Sequence, residues 1–503
     1  MNLNMIHGVY FDQSACALIL AVYLQDGSVK LSEEAKEFDS KSGNLLSGLI
    51  EAGEITGRLN ETTVLYPSGL KVGKVIVVGL GVINEYSMEK VRQTTGTAVK
   101  VAAKGRTEKI ITTIHCFQEA NLCPRKVMQA TAEGAVLALT NSDFLKSKPK
   151  AISLQSIEIV LSDPELPAKL HPYFEKGLAM AKGTVLARRL TTLPANYLTP
   201  SHLEEEARKV VNATGIKLEV LERSDMQRLG MGCLLGVSQG SAQPPKMIIL
   251  RHDGDPESKE ILALVGKGIT FDAGGISLKQ AAGMEAMKGD MGGAAAVLGA
   301  MQIVGELKPK ANIIGVIAAS ENLPDGNAFK PGDVLKGMTG KTIEIISTDA
   351  EGRLILADAV AYAEKLGACR IIDVATLTGA SAQAFGGVYA TILADCDQFY
   401  ADTMSAAEMS GERFWRMPLA DEYREMYKSP VADIKNGGAR GGGMITGGLI
   451  IREFIDQAAW VHLDIAGMSS NQDDRPYMPK GYNGFATRTL AELALSCDKD
   501  LFM

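Results

Sequence analysis

Asp349, Glu351 and Arg353 stand at alternate positions in STDAEGRL (347–354), where the apolar run KTIEIIS (341–347) gives way to a helical pattern. Alternate side chains of an extended chain project to one side, so this spacing predicts two carboxylates and a guanidinium on one face. Two further stretches carry groups of the same kinds. GKGITFDAGGISLK (266–279) supplies Lys267, Asp272 and Lys279, and MKGDMGG (287–293) supplies Asp290 just ahead of a helix start. Taken singly, each aspartate reads as a helix cap or a turn hydrogen-bonder. Taken together, the four carboxylates repel one another and raise each other's pKa, and the set lacks enough counter-charge without a metal. His7, His115, His171, His202, His252 and His462 all lie outside these segments. The donors are therefore hard oxygens, which suit Mg²⁺ or Mn²⁺ and also accept Zn²⁺. Four carboxylates exceed the need of one ion, whereas two ions roughly 3.5–4 Å apart with shared carboxylates would use them all.

The elements that must position these groups follow an α/β alternation. From residue 260 onward, nearly continuous apolar runs predict buried strands at ILALVG (261–266), ANIIGVIAA (311–319), KTIEIIS (341–347), RIIDVATL (370–377) and WVHLDIAG (460–467), with helices at 292–307 and 353–367. Each strand leads into a polar or glycine-rich loop, and in open α/β sheets reactive groups collect outside the carboxyl ends of the strands. Residues 1–165 alternate in the same way. Strands are expected at 75–81, 109–117 and 156–163, helices at 88–105 and 126–139, and the first apolar stretch reads as one strand. A helical connector over 171–192 is broken by LPANYLTP (193–200), after which Ser201, with Glu204 three residues on, reads as the cap of a helix reaching about Val211.

Composition narrows the function classes. A chain of 503 residues with 46% hydrophobic and 22% charged residues reads as a soluble globular protein of two or three domains. The formal charge of −7 argues against a general nucleic-acid-binding role. No window approaches the ~18 apolar residues of a membrane span. The first residues lack a basic region and carry Asp12, which argues against a secretory signal. Seven scattered cysteines without a CxxC pair point to reduced thiols in a cytoplasm and against a cysteine zinc site. Two phosphate-loop likenesses fail. GLGVIN (79–84) has Asn84 where a dinucleotide fingerprint needs glycine, and GMTGKT (337–342) would need glycine where Leu335 stands.

The four stretches GKGITFDAGGISLK, MKGDMGGAAAV, ENLPDGNAFKPGDV (321–334) and STDAEGRLILADA together resemble the cytosolic leucyl aminopeptidases, hexameric exopeptidases with two metal ions. The similarity continues through DVATLTGA (373–380) and ARGGGMITGGLI (439–450) to HLDIAG (462–467), and spans about 190 to 495. Residues 1–165 match in architecture alone. The resemblance implies two α/β domains, a smaller N-terminal one (1–168) for oligomer contacts or accessory binding and a larger catalytic one (193–503) with a mostly parallel sheet, joined by a helical linker (169–192).

It further implies a tighter metal held by Lys267, Asp272, Asp290 and Glu351, and an exchangeable one held by Asp272, Asp349 (side chain and main-chain carbonyl) and Glu351. Mn²⁺ or Zn²⁺ is expected, with Mg²⁺ or Co²⁺ as further candidates. Lys279 and Arg353 are the implied catalytic pair, Arg353 holding a bicarbonate that shuttles a proton. Met287, Thr376, Leu377, Gly379 and Ala466 match the lining for the substrate's first side chain. The implied activity is release of leucine and other neutral residues from peptide amino termini by a cytoplasmic homohexamer. For Lys267, only the neutral amine has a lone pair, so a salt bridge to Asp272 is the competing reading. The competing function is DNA binding or regulation through the N-terminal domain, as in some bacterial relatives, against which the overall acidity counts. Ala273 replaces a usual small hydroxyl residue and Ser347 a usual asparagine, which bears on the hydrogen bonds around the ligands.

Overall fold

The computed structural model describes residues 1–68, 71–150, 152–438 and 441–502; Ala439 and Arg440 of the ARGGGMITGGLI stretch lie outside the described residues. The chain forms two compact units. One comprises Met1–Ala181 with Asp473–Lys480 and Phe502, the other Lys182–Gln472 with Gly481–Leu501. The boundary falls within one long helix, Leu166–Thr192.

The N-terminal unit is built on a seven-stranded sheet in the order Asn2–His7, Ser156–Leu161, Lys109–Thr112, Ala15–Gln25, Val72–Val82, Thr62–Leu65, with Ser28–Leu31 paired to Ala15–Gln25 off this path. Four of its pairings are parallel. The apolar run of Ala15–Gln25 serves both faces. Ala17, Ile19 and Ala21 enter one core, and Leu18, Leu20 and Val22 the other, as expected of a strand covered on both sides. The first apolar stretch is thus two strands, separated by a turn at Tyr10–Asp12. The strand expected over 109–117 stops at Thr112, because Cys116 takes a positive φ of 50° and the chain turns.

The second unit has an eight-stranded sheet ordered Phe414–Arg416, Ala390–Ala394, Ala459–Asp464, Arg370–Ala375, Ile261–Asp272, Asn312–Asn322, Lys246–Asp253, Lys217–Leu221. Its centre is parallel: Ile261–Asp272 lies between Asn312–Asn322 and Arg370–Ala375, and Ala459–Asp464 continues the set. Three outer pairings are antiparallel. Helix Gly292–Leu307 is buried along most of its circumference, which explains its apolar composition. Its start lies against the sheet because residue 293 is glycine; a Cβ there would fall 2.0 Å from the Val374 carbonyl oxygen.

Two local expectations are corrected. The run 341–347 is not a strand of this sheet. Only Thr342–Glu344 is extended, in a separate three-stranded sheet with Val334–Lys336 and Ile434–Lys435. The cap of the helix after the linker lies two residues earlier than Ser201. Thr199 is its cap, accepting from the His202 N–H, with Pro200 in the first turn, and the helix runs Pro200–Thr214 to a left-handed Gly215. Proline in that position gives up a donor that has no partner in any case.

Candidate active site

The strand order brings together three chain ends remote in sequence. Asp272 closes the strand Ile261–Asp272, Thr376 follows Arg370–Ala375, and Ala466 follows Ala459–Asp464. Asp290 stands between the short helical turn Met284–Gly289 and helix Gly292–Leu307, and Glu351 caps helix Gly352–Lys365. A cavity of about 550 Å³ opens among them. Its lining contains every residue that the resemblance assigned to metal, catalysis or substrate: Lys267, Asp272, Lys279, Met287, Asp290, Asp349, Glu351, Arg353, Thr376, Leu377, Gly379 and Ala466.

The geometry that unites them differs from the alternation argument. Residues 345–351 are irregular; Asp349 is exposed in a turn, Glu351 has helical dihedrals and is buried, and Arg353 lies in the helix. The three share the cavity through a bend, not through one face of a strand. Asp272, Asp290 and Glu351 are buried, and each brings a carboxylate oxygen within 4.8 Å of the others. Asp349 stands apart from this trio.

The protein's own cations meet part of this charge. Lys267 Nζ lies 2.8 Å from both Asp290 Oδ2 and Glu351 Oε1, and donates to the Thr376 carbonyl at 3.0 Å. Lys279 Nζ lies 2.8 Å from Asp272 and 2.5 Å from Asp349. The ion pair considered between Lys267 and Asp272 is therefore not the one that forms. Glycine at 352 makes room for the first lysine, since a Cβ there would meet Lys267 Cε at 2.7 Å. Arg353 gives an N–H to the Asn436 carbonyl at 2.8 Å, while its Nε is buried without a partner among the described residues.

Two ammonium groups against four carboxylates leave the cluster short of positive charge. Burial, reinforced by the neighbouring carboxylates, pushes Asp290 and Asp272 above the usual carboxylate range. Burial also opposes ionisation of Glu351, but Lys267 outweighs it and holds this carboxyl below its usual value. For Lys267, burial works against the charge, and Asp290, Glu351 and Asp272 overcome it, so its pKa rises. Glu351 Oε2 is buried with no hydrogen-bond partner among the described residues. An unpaired buried carboxylate oxygen beside two more carboxylates fits a divalent cation, and the all-oxygen carboxylate set suits Mn²⁺, Mg²⁺ or Zn²⁺.

Several residues of the site were not assigned from sequence. Asn322, the last residue of its strand, donates to Asp272 Oδ1 at 2.8 Å and to the Thr348 carbonyl at 3.0 Å. Thr348 Oγ1 donates to the Gly274 carbonyl at 2.6 Å and accepts from Ser277 N, pinning the loop that carries Lys279. Asp464 and Tyr482 complete the neighbourhood; Tyr482 lines the cavity and donates to the Ala286 carbonyl at 2.6 Å. Asn322 and Asp464 both fall inside stretches that carried the family resemblance, and that was the one available signal for them. Ser347 Oγ accepts from Asp349 N at 3.2 Å, so the residue that departs from the usual pattern caps the turn presenting Asp349. Ala273 is buried and uses only its backbone, accepting from Lys279 N at 3.0 Å.

Comparison with known proteins decides the family. Residues 185–491 match the profile of the cytosol aminopeptidase family, catalytic domain, and residues 19–149 match that family's N-terminal domain. The chain belongs to the cytosol aminopeptidase family. It is therefore a hydrolase of the metallo-exopeptidase type, dependent on a dinuclear metal site and acting at peptide amino termini. The N-terminal match extends the kinship beyond the region, from about residue 190, in which sequence motifs are recognisable. A probable cytosol aminopeptidase of Alkaliphilus oremlandii (strain OhILAs) is 41% identical over 96% of this chain and 97% of its own length. A mutant of tomato leucine aminopeptidase superposes with a TM-score of 0.87 at 32% identity, covering 99% of this chain and 96% of that one. The bottromycin maturation enzyme BotP in complex with Mn gives a TM-score of 0.84 at 31% identity, covering 96% of this chain and all of that one. No helix among the described residues of this family member is long and apolar enough to cross a membrane.

Proposed function

We propose that this aminopeptidase releases leucine and other neutral residues from the amino termini of peptides, using Lys267, Asp272, Asp290, Asp349 and Glu351 to hold two divalent ions. The observation that carries this reading is the buried trio Asp272, Asp290 and Glu351, with one Glu351 oxygen unpartnered among the described residues, inside a cavity that also holds Lys279 and Arg353. Mn²⁺ or Zn²⁺ is the proposed occupant, with Mg²⁺ and Co²⁺ as substitutes. When bound, such ions lower the pKa of a water toward ~7 and polarise a carbonyl.

The chain's own residues supply the rest. Lys279, tethered between Asp272 and Asp349, presents an ammonium to the scissile carbonyl oxygen, where negative charge develops; a cation already in place stabilises it without reorganisation. Arg353, whose Nε is buried and without a hydrogen-bond partner among the described residues, fits an oxyanion, for which bicarbonate is proposed as a proton carrier. Met287, Thr376, Leu377, Gly379 and Ala466 are proposed to line the seat of the first side chain. None of these five carries a charge, which matches neutral residues. The proposed assembly is a cytoplasmic homohexamer.

The test is a pair of substrates. Leucyl-anilide is expected to turn over and its N-acetyl counterpart to be inert, because the free amine is the group an aminopeptidase must recognise. Equal cleavage of both would remove the exopeptidase reading for this site.

A further inference from the structure

The substrate cavity takes two of its walls from unrelated stretches, 376–379 and the turn at Ala466. They project from neighbouring parallel strands, in which Ala375 lies opposite Asp464. Past those strand ends a single backbone bond, from Ile465 N–H to the Ala375 carbonyl at 2.8 Å, joins the two walls among the described residues. The last strand residue adds side-chain ties. Asp464 is fully buried. Its Oδ1 accepts from the backbone N–H groups of Leu377 at 3.2 Å, Thr378 at 3.3 Å and Ala466 at 3.2 Å. Its Oδ2 accepts from Thr378 Oγ1 at 2.6 Å. Among the described residues, no lysine or arginine lies within ion-pair distance of Asp464, so this carboxylate is spent on the two walls. One residue earlier, Thr376 gives its carbonyl to Lys267 and its hydroxyl to Asp290 at 2.6 Å, so the setting of this loop reaches the charged cluster as well.

We propose that Asp464 is a positioning residue that locks the 376–379 loop to the Ala466 turn and thereby sets which first side chains the cavity admits. This rests on the reading of the cavity as the seat of the substrate's first residue. A carboxylate suits the task because hydrogen bonds to an ionised acceptor are stronger and shorter than neutral ones. An asparagine would keep all four contacts and reverse the direction of one. Its carbonyl oxygen would accept from the three N–H groups, and its amide would donate to Thr378 Oγ1, which turns to accept. An alanine would remove all four contacts.

The experiment compares the parent enzyme with Asp464→Ala, Asp464→Asn and Thr378→Val. Readouts are bound Mn²⁺ per chain, hydrogen exchange of peptides covering 376–379 and 465–468, and kcat and KM on alanyl-, valyl-, leucyl- and phenylalanyl-anilides. In Asp464→Ala, exchange is expected to quicken in both peptides while Mn²⁺ content stays parental. KM should rise about tenfold or more and the ranking by side-chain size should flatten, the magnitude of one lost bond to a charged acceptor. Asp464→Asn should stay within about threefold of the parent, since it retains the contacts. Thr378→Val, the milder change, should shift KM in the same direction and decides the question if Asp464→Ala does not fold. Unchanged KM and ranking in Asp464→Ala, or in Thr378→Val where the alanine variant does not fold, would overturn the proposal. So would an asparagine variant as impaired as the alanine one, or loss of Mn²⁺. A parent inactive on every free-amine anilide would sink the peptidase reading, whereas unaltered exchange in both peptides would sink the locking alone.

Discussion

Both units carry a sheet with a parallel centre flanked by helices, yet they treat buried charge in opposite ways. In the N-terminal unit, Arg92 and Glu133 are each 1% exposed and pair at 2.6 Å, with Glu89 at 3.7 Å and an amide N–H of Gln129 on the other Glu133 oxygen. The buried guanidinium there is met by carboxylates of the same unit. In the catalytic unit, four carboxylates face two ammonium groups, and a Glu351 oxygen is left over among the described residues. The fold alone does not mark function. Buried charge that the protein does not itself balance is what separates a site from a scaffold.

The contrast is sharpest on removal of metal. Chelation is expected to abolish turnover and to speed hydrogen exchange around Asp272, Asp290 and Glu351, leaving the helix Met88–Ala102 with Arg92 unaffected. Mn²⁺, Zn²⁺ or Co²⁺ should restore both. Full activity in a sample shown metal-free by elemental analysis would erase the distinction.

The balanced pair should behave as a structural element. Glu133→Ala, which removes the nearest carboxylate from a buried guanidinium, is expected to cost about 3 kcal/mol in urea unfolding, while the joint change Arg92→Leu with Glu133→Leu recovers most of it. Turnover per folded molecule should not move. A neutral single substitution would mean that this cluster is not held by its charges.

Within the unbalanced cluster, Lys279→Ala should lower kcat by ~10²–10³, typical for loss of one donor to a developing oxyanion, and keep both ions. Arg353→Ala should fall less, because a solvent base partly replaces a held oxyanion. Asp290→Ala should instead weaken the tighter ion. Loss of metal in Lys279→Ala, or wild-type affinity in Asp290→Ala, would reverse these roles.

The smallest effect concerns a buried carboxyl that serves neither purpose. Asp358 accepts from Leu234 N at 2.9 Å and Met338 N at 2.8 Å, and burial pushes its pKa up from 3.8 to about 7. Between those values the folded chain holds a proton that the unfolded chain has released. Its stabilising contribution is therefore full below pH ~4 and declines as pH rises to about 7, by at most ~1.4 kcal/mol per pH unit. Asp358→Asn should flatten this part of the stability profile of the metal-loaded enzyme, measured by thermal unfolding. An unchanged slope would assign the dependence to other groups.

Much of the catalytic unit was legible beforehand because its strands are apolar on both faces and its helices follow at regular intervals. Helix 292–307 matches the observed span residue for residue. The run 341–347 reads as a continuous apolar strand of the main sheet, but its short extended part serves a small side sheet, and an apolar run does not say which sheet a strand joins. Thr199 and Ser201 both offer a hydroxyl at the helix start, and only the hydrogen bond from His202 N to Thr199 distinguishes them.

The sequence by itself determined the donor chemistry: carboxylates and lysines without histidine, at spacings that brought the family to light. It also determined the alternation that puts loops at strand ends. Tertiary structure alone decided which charges pair. Lys267 meets Asp290 and Glu351, Lys279 meets Asp272 and Asp349, and Asp464 ties loops 86 to 87 residues apart in the chain. The reason is physical. Local spacing fixes the direction of a side chain relative to its own element, whereas pairing depends on strand order and on how far each helix start is pressed into the sheet, where the glycines at 293 and 352 allow the approach.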